Sequence, residues 1–277
     1  MKMRIFLFIL VSLCASTAFT TETEMVVGKF SSSDLTGWKD ETVIGSSKVS
    51  TYTFLKDNGK IVLQGKSADA ASGLLHKIKL DPKTSPIIKW SWKIEHTVKN
   101  GNERTKDGHD FAARIYVVFP RGMFFWNHRA IEYVWGNVLP KGEFVRSPYS
   151  KNAVMIAVDS GNELAGKWTF HKRNFYEDYK TAFGEEPPKV GAIAIMTDSD
   201  NTHESSIGYY GDISIVSIAV KTEDQKRKEI KPREGLPKDA PPKELKPKDQ
   251  DPIPDVPAPV TPQQAPVQSH LAPVKPK

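Results

Sequence analysis

Period-two alternation dominates the middle of the chain. "KWSWKIEH" sets Trp90, Trp92 and Ile94 against Lys89, Ser91, Lys93 and Glu95. "DFAARIYVVFP" sets Phe111, Ala113, Ile115, Val117 and Phe119 against Asp110, Ala112, Arg114 and Tyr116. Successive strand side chains point to opposite faces, so each run reads as a strand with one buried face. "AIEYVWGN", "NAVMIAVDSG", "VGAIAIMTD" and "SIGYYGDISIVSIAV", bounded by Gly, Pro, Asn and Asp, read the same way. "STYTFLKDNGKIVLQGKS" predicts two strands joined at Asn58-Gly59, the strongest short hairpin signal. One segment departs from this period. In "NFYEDYKTAFGEEPP", Phe175, Tyr179 and Phe183 fall four apart, on one helical face. Asn174 suits its N-cap, Gly184 its C-terminal cap, and Pro187 and Pro188 its stop. Many short strands with polar turns, and no helices between them, predict an all-β fold. It is an antiparallel β-sandwich of jelly-roll type with one short α-helix.

The two ends do not share this pattern. Lys2 and Arg4 precede the apolar run "IFLFILVSLCA", which is too short for a membrane helix of about 20 residues. With the small residues of "STA" behind it, the run predicts a secretory signal peptide over residues 1–18. Cys14 is the chain's one cysteine and would leave with that leader, so the exported domain has no disulfide. The expected location is the periplasm or the outside of the cell, with no transmembrane segment after the leader is removed. At the other end, residues 231–277 hold 13 of the 20 prolines, and no aromatic residue occurs after residue 220. Such a segment cannot bury enough apolar surface to offset chain entropy, so residues 221–277 are expected to be a disordered Pro/Lys-rich tail. It would serve as a spacer or as a docking peptide for an envelope partner. Residues 19–220 are then one domain with a sizeable core. The tail carries 12 Lys or Arg against 9 Asp or Glu, and Lys2 and Arg4 lie in the leader. Of the formal net charge of +6, only about +1 therefore belongs to the domain. No basic patch suggests nucleic acid.

Candidate chemistry lies on the polar faces. Asp110, Arg114 and Tyr116 share the face opposite a clean apolar one, which makes it either a wet surface or the floor of a cleft. Arg suits bidentate binding of carboxylate, and Tyr suits hydrogen bonding to sugars. The structural alternative is an Arg–Asp pair across the sheet. Trp126 falls in a predicted loop beside Phe124 and Phe125, where an aromatic face would stack on a sugar ring. Trp90, Trp92 and Trp135 read as core. Near the helix, Asn174, Glu177 and Asp178 have a capping and dipole explanation, which leaves Arg173 over. "TDSDNTHES" gathers Asp198, Asp200, Asn201 and Glu204. An EF-hand counted from Asp198 would need Gly and Glu where His203 and Tyr209 stand, so that loop type is excluded. A polar turn remains, as does an irregular cation or ligand contact with Ca²⁺ as the candidate ion. No G-x-S-x-G elbow, H-E-x-x-H pair or phosphate-binding glycine loop occurs, and the histidines show no metal spacing.

"DFAARIYVVFP", "IEYVWGN", "KRNFYEDYKTAFGEEPPKVGAIAIMTDSDNT" and "YYGDI", preceded in order by "LTGW", "DAASGLLHKI" and "PIIKWSWKI", resemble the bacterial family called domain of unknown function 3047. The resemblance covers most of residues 28–216. It implies an exported β-rich domain and brings no activity. Its recurrent positions correspond here to Asp110, Arg114, Tyr116, Tyr133, Trp135, Arg173, Asn174, Asp178, Asp198, Asp200 and Asn201. Where the family often has two acids before the Phe-Ala-Ala-Arg run, this chain has His109 and Asp110. The expected function is a binding module for an envelope or extracellular saccharide or similar polar ligand. Its expected contacts are Asp110, Arg114, Tyr116, Trp126, Arg173, Asp198, Asp200 and Asn201. The alternatives are a polysaccharide lyase or hydrolase, with Arg114, Tyr116 and His109 as its groups, and a scaffold acting through the tail.

Overall fold

The structure is a computed structural model that describes residues 19–43, 45–122 and 127–221. The predicted leader, Trp126 and nearly all of the predicted tail lie outside the described residues. Among the described residues thirteen strands form two sheets. The first contains β1 (Phe19–Gly28), β3 (Thr51–Asp57), β4 (Lys60–Ala68), β6 (Ile87–Ile94), β11 (Thr169–Asn174) and β13 (Ser205–Lys221). Their order is β11-β6-β13-β4-β3, with β1 also on β13. The second contains β2 (Trp38–Thr42), β5 (Ala71–Leu80), β7 (Arg114–Phe119), β8 (Arg129–Gly136), β9 (Phe144–Ser147), β10 (Ser150–Ser160) and β12 (Val190–Asp198). Their order is β2-β5-β12-β7-β8-β10-β9. The strand pairing is antiparallel except for β8 with β10, which run parallel. Among the described residues no helix is long and apolar enough to cross a membrane.

The predicted alternation decides which residues lie between the sheets. From the first sheet, Leu63, Ile88, Trp90, Trp92, Tyr210 and Ile213 meet Ile115, Val117, Ile131, Tyr133, Trp135 and Ile193 of the second. Trp90 stacks on Tyr133 with centroids 5.1 Å apart, and Trp92 lies 6.1 Å from Trp135. Each such buried side chain contributes about 1.5–3 kcal/mol against exposure, the main term holding a domain without disulfides. The β3–β4 hairpin turns at Asn58 (φ 49°) and Gly59 (φ 82°), two positive values that an Asn-Gly pair tolerates. The helix α1 spans Phe175–Phe183. Asn174 caps it by accepting from Glu177 N–H, and Gly184 ends it at φ 70°.

One local expectation changes, and one strand is an addition to what was expected. The strand predicted from Asp110 begins only at Arg114. Asp110 to Ala113 belong to a long connection after β6 that folds over the outer face of the second sheet. Glu103, fully enclosed, accepts backbone N–H bonds from Val138 and Leu139 at 3.4 and 3.0 Å, and also one from Asn137. Asn137 donates to the Asp110 carbonyl at 2.8 Å. Phe111 then packs with Val134, Leu139, Met155 and Ala157 in a second, smaller core on this outer side. The addition is β11, over residues for which no strand was expected, and it inverts the usual pattern. Thr169, His171 and Arg173 pair with Trp92, Trp90 and Ile88 and so face inward, while Phe170 and Lys172 face out.

Candidate functional site

Five of the residues that the sequence singles out meet in space. Arg114 opens β7 and Asp198 closes β12, with Met196 of β12 opposite Arg114. Arg114 Nη2 donates to Asp198, Nη1 lies 3.8 Å from Glu132 Oε2, and the guanidinium sits 4.5 Å from the Phe111 ring centre. Asp198 also accepts from Phe111 N–H at 3.1 Å. Asp110 accepts from Asn201 and Thr202 N–H at 3.2 and 2.6 Å. Carboxylate oxygens of Asp110, Asp198 and Asp200 fall within 4.8 Å of one another. His109 Nδ1 lies 3.4 Å from Arg114 Nη1, and Asn201 donates to Tyr149 Oη at 2.8 Å.

This assembly is enclosed. Arg114 is 2% exposed, and Asp110 and Asp198 are as deeply buried. The expected open face bearing Asp110, Arg114 and Tyr116 is therefore not what forms. The connection carrying His109 and Phe111 covers it, and Asp110 is not on the strand at all. Tyr116 stays half-buried, its hydroxyl 3.6 Å from Met196 Sδ. The arrangement is the buried Arg–Asp pair across the sheet, extended by Glu132. Burial, and after it the Asp110 charge, push the Asp198 carboxyl well up despite Arg114. Burial and then Asp110 raise Asp200, and burial raises Glu132. Burial, followed by the Arg114 charge, lowers His109 to about 3, so its imidazole is neutral in the fold. Burial is the largest single influence and opposes the Arg114 charge, but Asp198, Tyr116, Glu132 and Asp110 together outweigh it and raise its pKa. Sequence reasoning passed over Glu132. It sits in the "IEYVWGN" strand on the polar parity beside the noted Tyr133, and that parity is its only signal.

Arg173 lies elsewhere. It forks onto Asp178, with Nε at 3.1 Å, and Tyr133 Oη donates to the same carboxylate at 2.7 Å. It thus ties β11 to α1 and β8. A second inward hub is Asp159, whose Oδ2 accepts from Trp92 Nε1 at 2.8 Å and Thr169 Oγ1 at 2.7 Å. His171 Nε2 lies 2.7 Å from the same oxygen. These contacts explain why polar side chains of β11 point inward: each meets a buried carboxylate that draws it there.

The open concavity lies on the other sheet. β13 pairs with β4 through Ser205–Tyr210 and, on the same side, with β1 from Ile213 onward. Between the two runs, Gly211 and Asp212 have neither neighbour. Lys60 to Val62 pair with β3 and, among the described residues, have no ladder partner on their other edge. The sheet is split there, and a groove of about 960 Å³ opens on its outer face, within the range of ligand sites. Gly211 keeps the floor low, since a Cβ there would fall 2.2 Å from Ser91 Oγ. One wall carries Trp168 and Phe170, and Phe170 is 78% exposed, the most exposed large apolar side chain among the described residues. Trp168 Nε1 donates to Asp57 Oδ2 at 2.5 Å, and Lys93 Nζ reaches that oxygen at 2.8 Å. Lys93 also sits 4.3 Å from the Tyr209 ring centre. Asp212 accepts from Ser31 N–H and Oγ at 2.7 and 2.6 Å, which fixes the far wall.

Fold and groove together define a two-sheet β-sandwich with a preformed cleft over one sheet. The chain belongs to the family described as Protein of unknown function (DUF3047), which matches residues 36–214. No curated protein matches it. Among solved structures it is similar to the family 11 carbohydrate-binding module of the cellulosomal cellulase Lic26A-Cel5E of Clostridium thermocellum. That similarity has 11% identity, covers 70% of this chain and 95% of that one, and has a TM-score of 0.39. It is also similar to the endoglucanase cel12A from Rhodothermus marinus, with 10% identity, 74% and 100% coverage and a TM-score of 0.41. Likeness at this level says nothing about the ligand.

Proposed function

We propose that the protein is a saccharide-binding module whose binding surface is the groove of the six-stranded sheet, not the enclosed network around Arg114. The observation that carries this is Phe170. It is a phenyl ring left in solvent on a strand whose Thr169, His171 and Arg173 point inward, beside an indole held in place by a carboxylate. A flat aromatic face covers the apolar C–H face of a sugar ring, and fixed polar neighbours bond its hydroxyls. Asp57, Lys93 and Trp168 are already ordered by one another, so a ligand would meet a surface that loses little entropy on binding. The free edge of Lys60 to Val62 adds backbone groups that a hydroxyl-bearing ligand can satisfy. On the same reading, residues 1–18 export the chain to the periplasm or cell exterior, and residues 221–277 serve as a spacer or engage an envelope partner. Calcium has no part in this reading. Both oxygens of Asp110 and both of Asp198 already accept N–H donors, and an ion would compete with them. The test is calorimetric titration of an envelope and plant oligosaccharide panel into the wild-type chain and Phe170→Ala. Binding of one glycan class that Phe170→Ala weakens supports the reading. Binding that Phe170→Ala and Trp168→Ala leave unchanged removes the groove from it.

A further inference from the structure

We infer that the groove selects an acidic saccharide, one carrying a ring carboxylate or sulfate; this rests on the groove reading above. The inference comes from which charges in the groove are already neutralised. Its three acids are all engaged. Glu24 pairs with Lys89 at 2.7 Å and accepts from Ser214. Asp57 is held by Lys93 and Trp168, and Asp212 by Ser31. On the cationic side, Lys89 is taken by Glu24, and Lys172 has Glu22 at 3.4 Å. Two ammonium groups are left. Lys56 and Lys60 line the groove at the β3–β4 hairpin, are exposed, and make no ion pair among the described residues. Lys60 stands opposite Asp57 in the ladder, the position from which a cross-strand pair is expected. The Asp57 carboxylate is occupied by Lys93 and Trp168 instead, so Lys60 keeps its charge uncompensated. The turn between them, Asn58-Gly59, holds the two lysines at one end of the groove, with the Trp168 and Phe170 wall along it. A neutral sugar would leave both ammonium groups as they are. An anionic one would bring the missing counter-charge while its ring lies against the aromatic wall.

The experiment titrates the full chain with an oligogalacturonate, a sulfated oligosaccharide and a neutral oligosaccharide of equal length, at 50 and 300 mM salt. The wild type is expected to bind at least one acidic oligomer about tenfold more tightly than the neutral one, with the preference shrinking at high salt. Lys56→Gln/Lys60→Gln is expected to remove most of that preference, bringing the acidic oligomer down toward the affinity of the neutral one. Both lysines are surface residues, so the variant's fold is checked by its melting temperature alone. Which acidic arm binds tells carboxylate from sulfate. Equal binding of neutral and acidic oligomers, or a preference that survives the double variant, overturns this inference while the groove reading stands. Absence of binding by all three, with Phe170→Ala also silent, overturns both.

Discussion

Around Arg114, charged groups are enclosed and matched to one another. Around Phe170, an apolar ring stands in solvent among charges that fix its surroundings. The two regions use similar residue types on the outer faces of the two sheets. What separates them is the cover. The connection from Glu95 to Ala113 lies over Arg114, Asp198 and Glu132, pinned by Glu103 and closed by Phe111. Nothing among the described residues lies over Phe170 and Trp168 in this way. A buried charge needs its partners to remain folded, whereas an exposed aromatic in a preformed groove is available to a ligand. The comparison therefore assigns stability to one region and recognition to the other, and it breaks if variants cross over.

The largest expected effect is on the enclosed side. Arg114→Met leaves Asp198 and Glu132 buried without their cation, a loss of about 3–5 kcal/mol. For a domain of this size that lowers the melting temperature by about 10 °C or more, read by thermal denaturation. Saccharide affinity of the folded fraction is expected to hold. Next is pH. His109 titrates near 6.5 when unfolded and at about 3 in the fold. Its pKa is lowered by folding, so its contribution is complete above about pH 6.5 and is lost as pH falls toward 3. The loss reaches at most about 4–5 kcal/mol. Asp198, Asp200 and Glu132 have raised values and act in the opposite sense, gaining stability as pH falls. The stability difference between wild type and His109→Asn isolates the histidine and should decline below pH 6.5; a flat difference would mean that His109 is not enclosed as described.

Smaller effects are expected on the open side, and in binding alone. Phe170→Ala should weaken saccharide by about tenfold to thirtyfold, roughly 1.4–2 kcal/mol, with the melting temperature unchanged within about 2 °C. The smallest effect concerns calcium. Adding Ca²⁺ or chelator should move the melting temperature by less than about 1 °C, because the acid cluster is already bonded to N–H donors. A rise of several degrees with Ca²⁺ would reassign that cluster to an ion.

Strands with apolar residues inside were legible: β6, β8, β10, β12 and β13 follow their alternation, and Asn58-Gly59 and the α1 caps announce themselves locally. The strand β11 was not. In "TFHKRN" an alternation is present, but either parity can be the inner one, and here the polar parity is. That choice is made by Asp159 and Asp178, whose approach to His171 and Arg173 depends on sheet pairing that no local pattern encodes. No strand was expected over these residues, and Trp168 and Phe170 went unremarked with it. The reverse happened at Arg114. Its polar parity was read correctly, and Arg114, Asp110, Asp198, Asp200 and Asn201 do converge, but the cover supplied by residues 95–113 has no periodic signal of its own.

The most direct test of the division between the two regions is chemical-shift mapping of the isotope-labelled protein titrated with the tightest-binding oligosaccharide. The account predicts that perturbations concentrate on the Trp168 indole N–H and the amides of Phe170, Lys60 and Gly211, with Arg114, Tyr116 and Asp198 unmoved. Perturbations centred on Arg114, Tyr116 and Asp198, with the Trp168 indole silent, would contradict it.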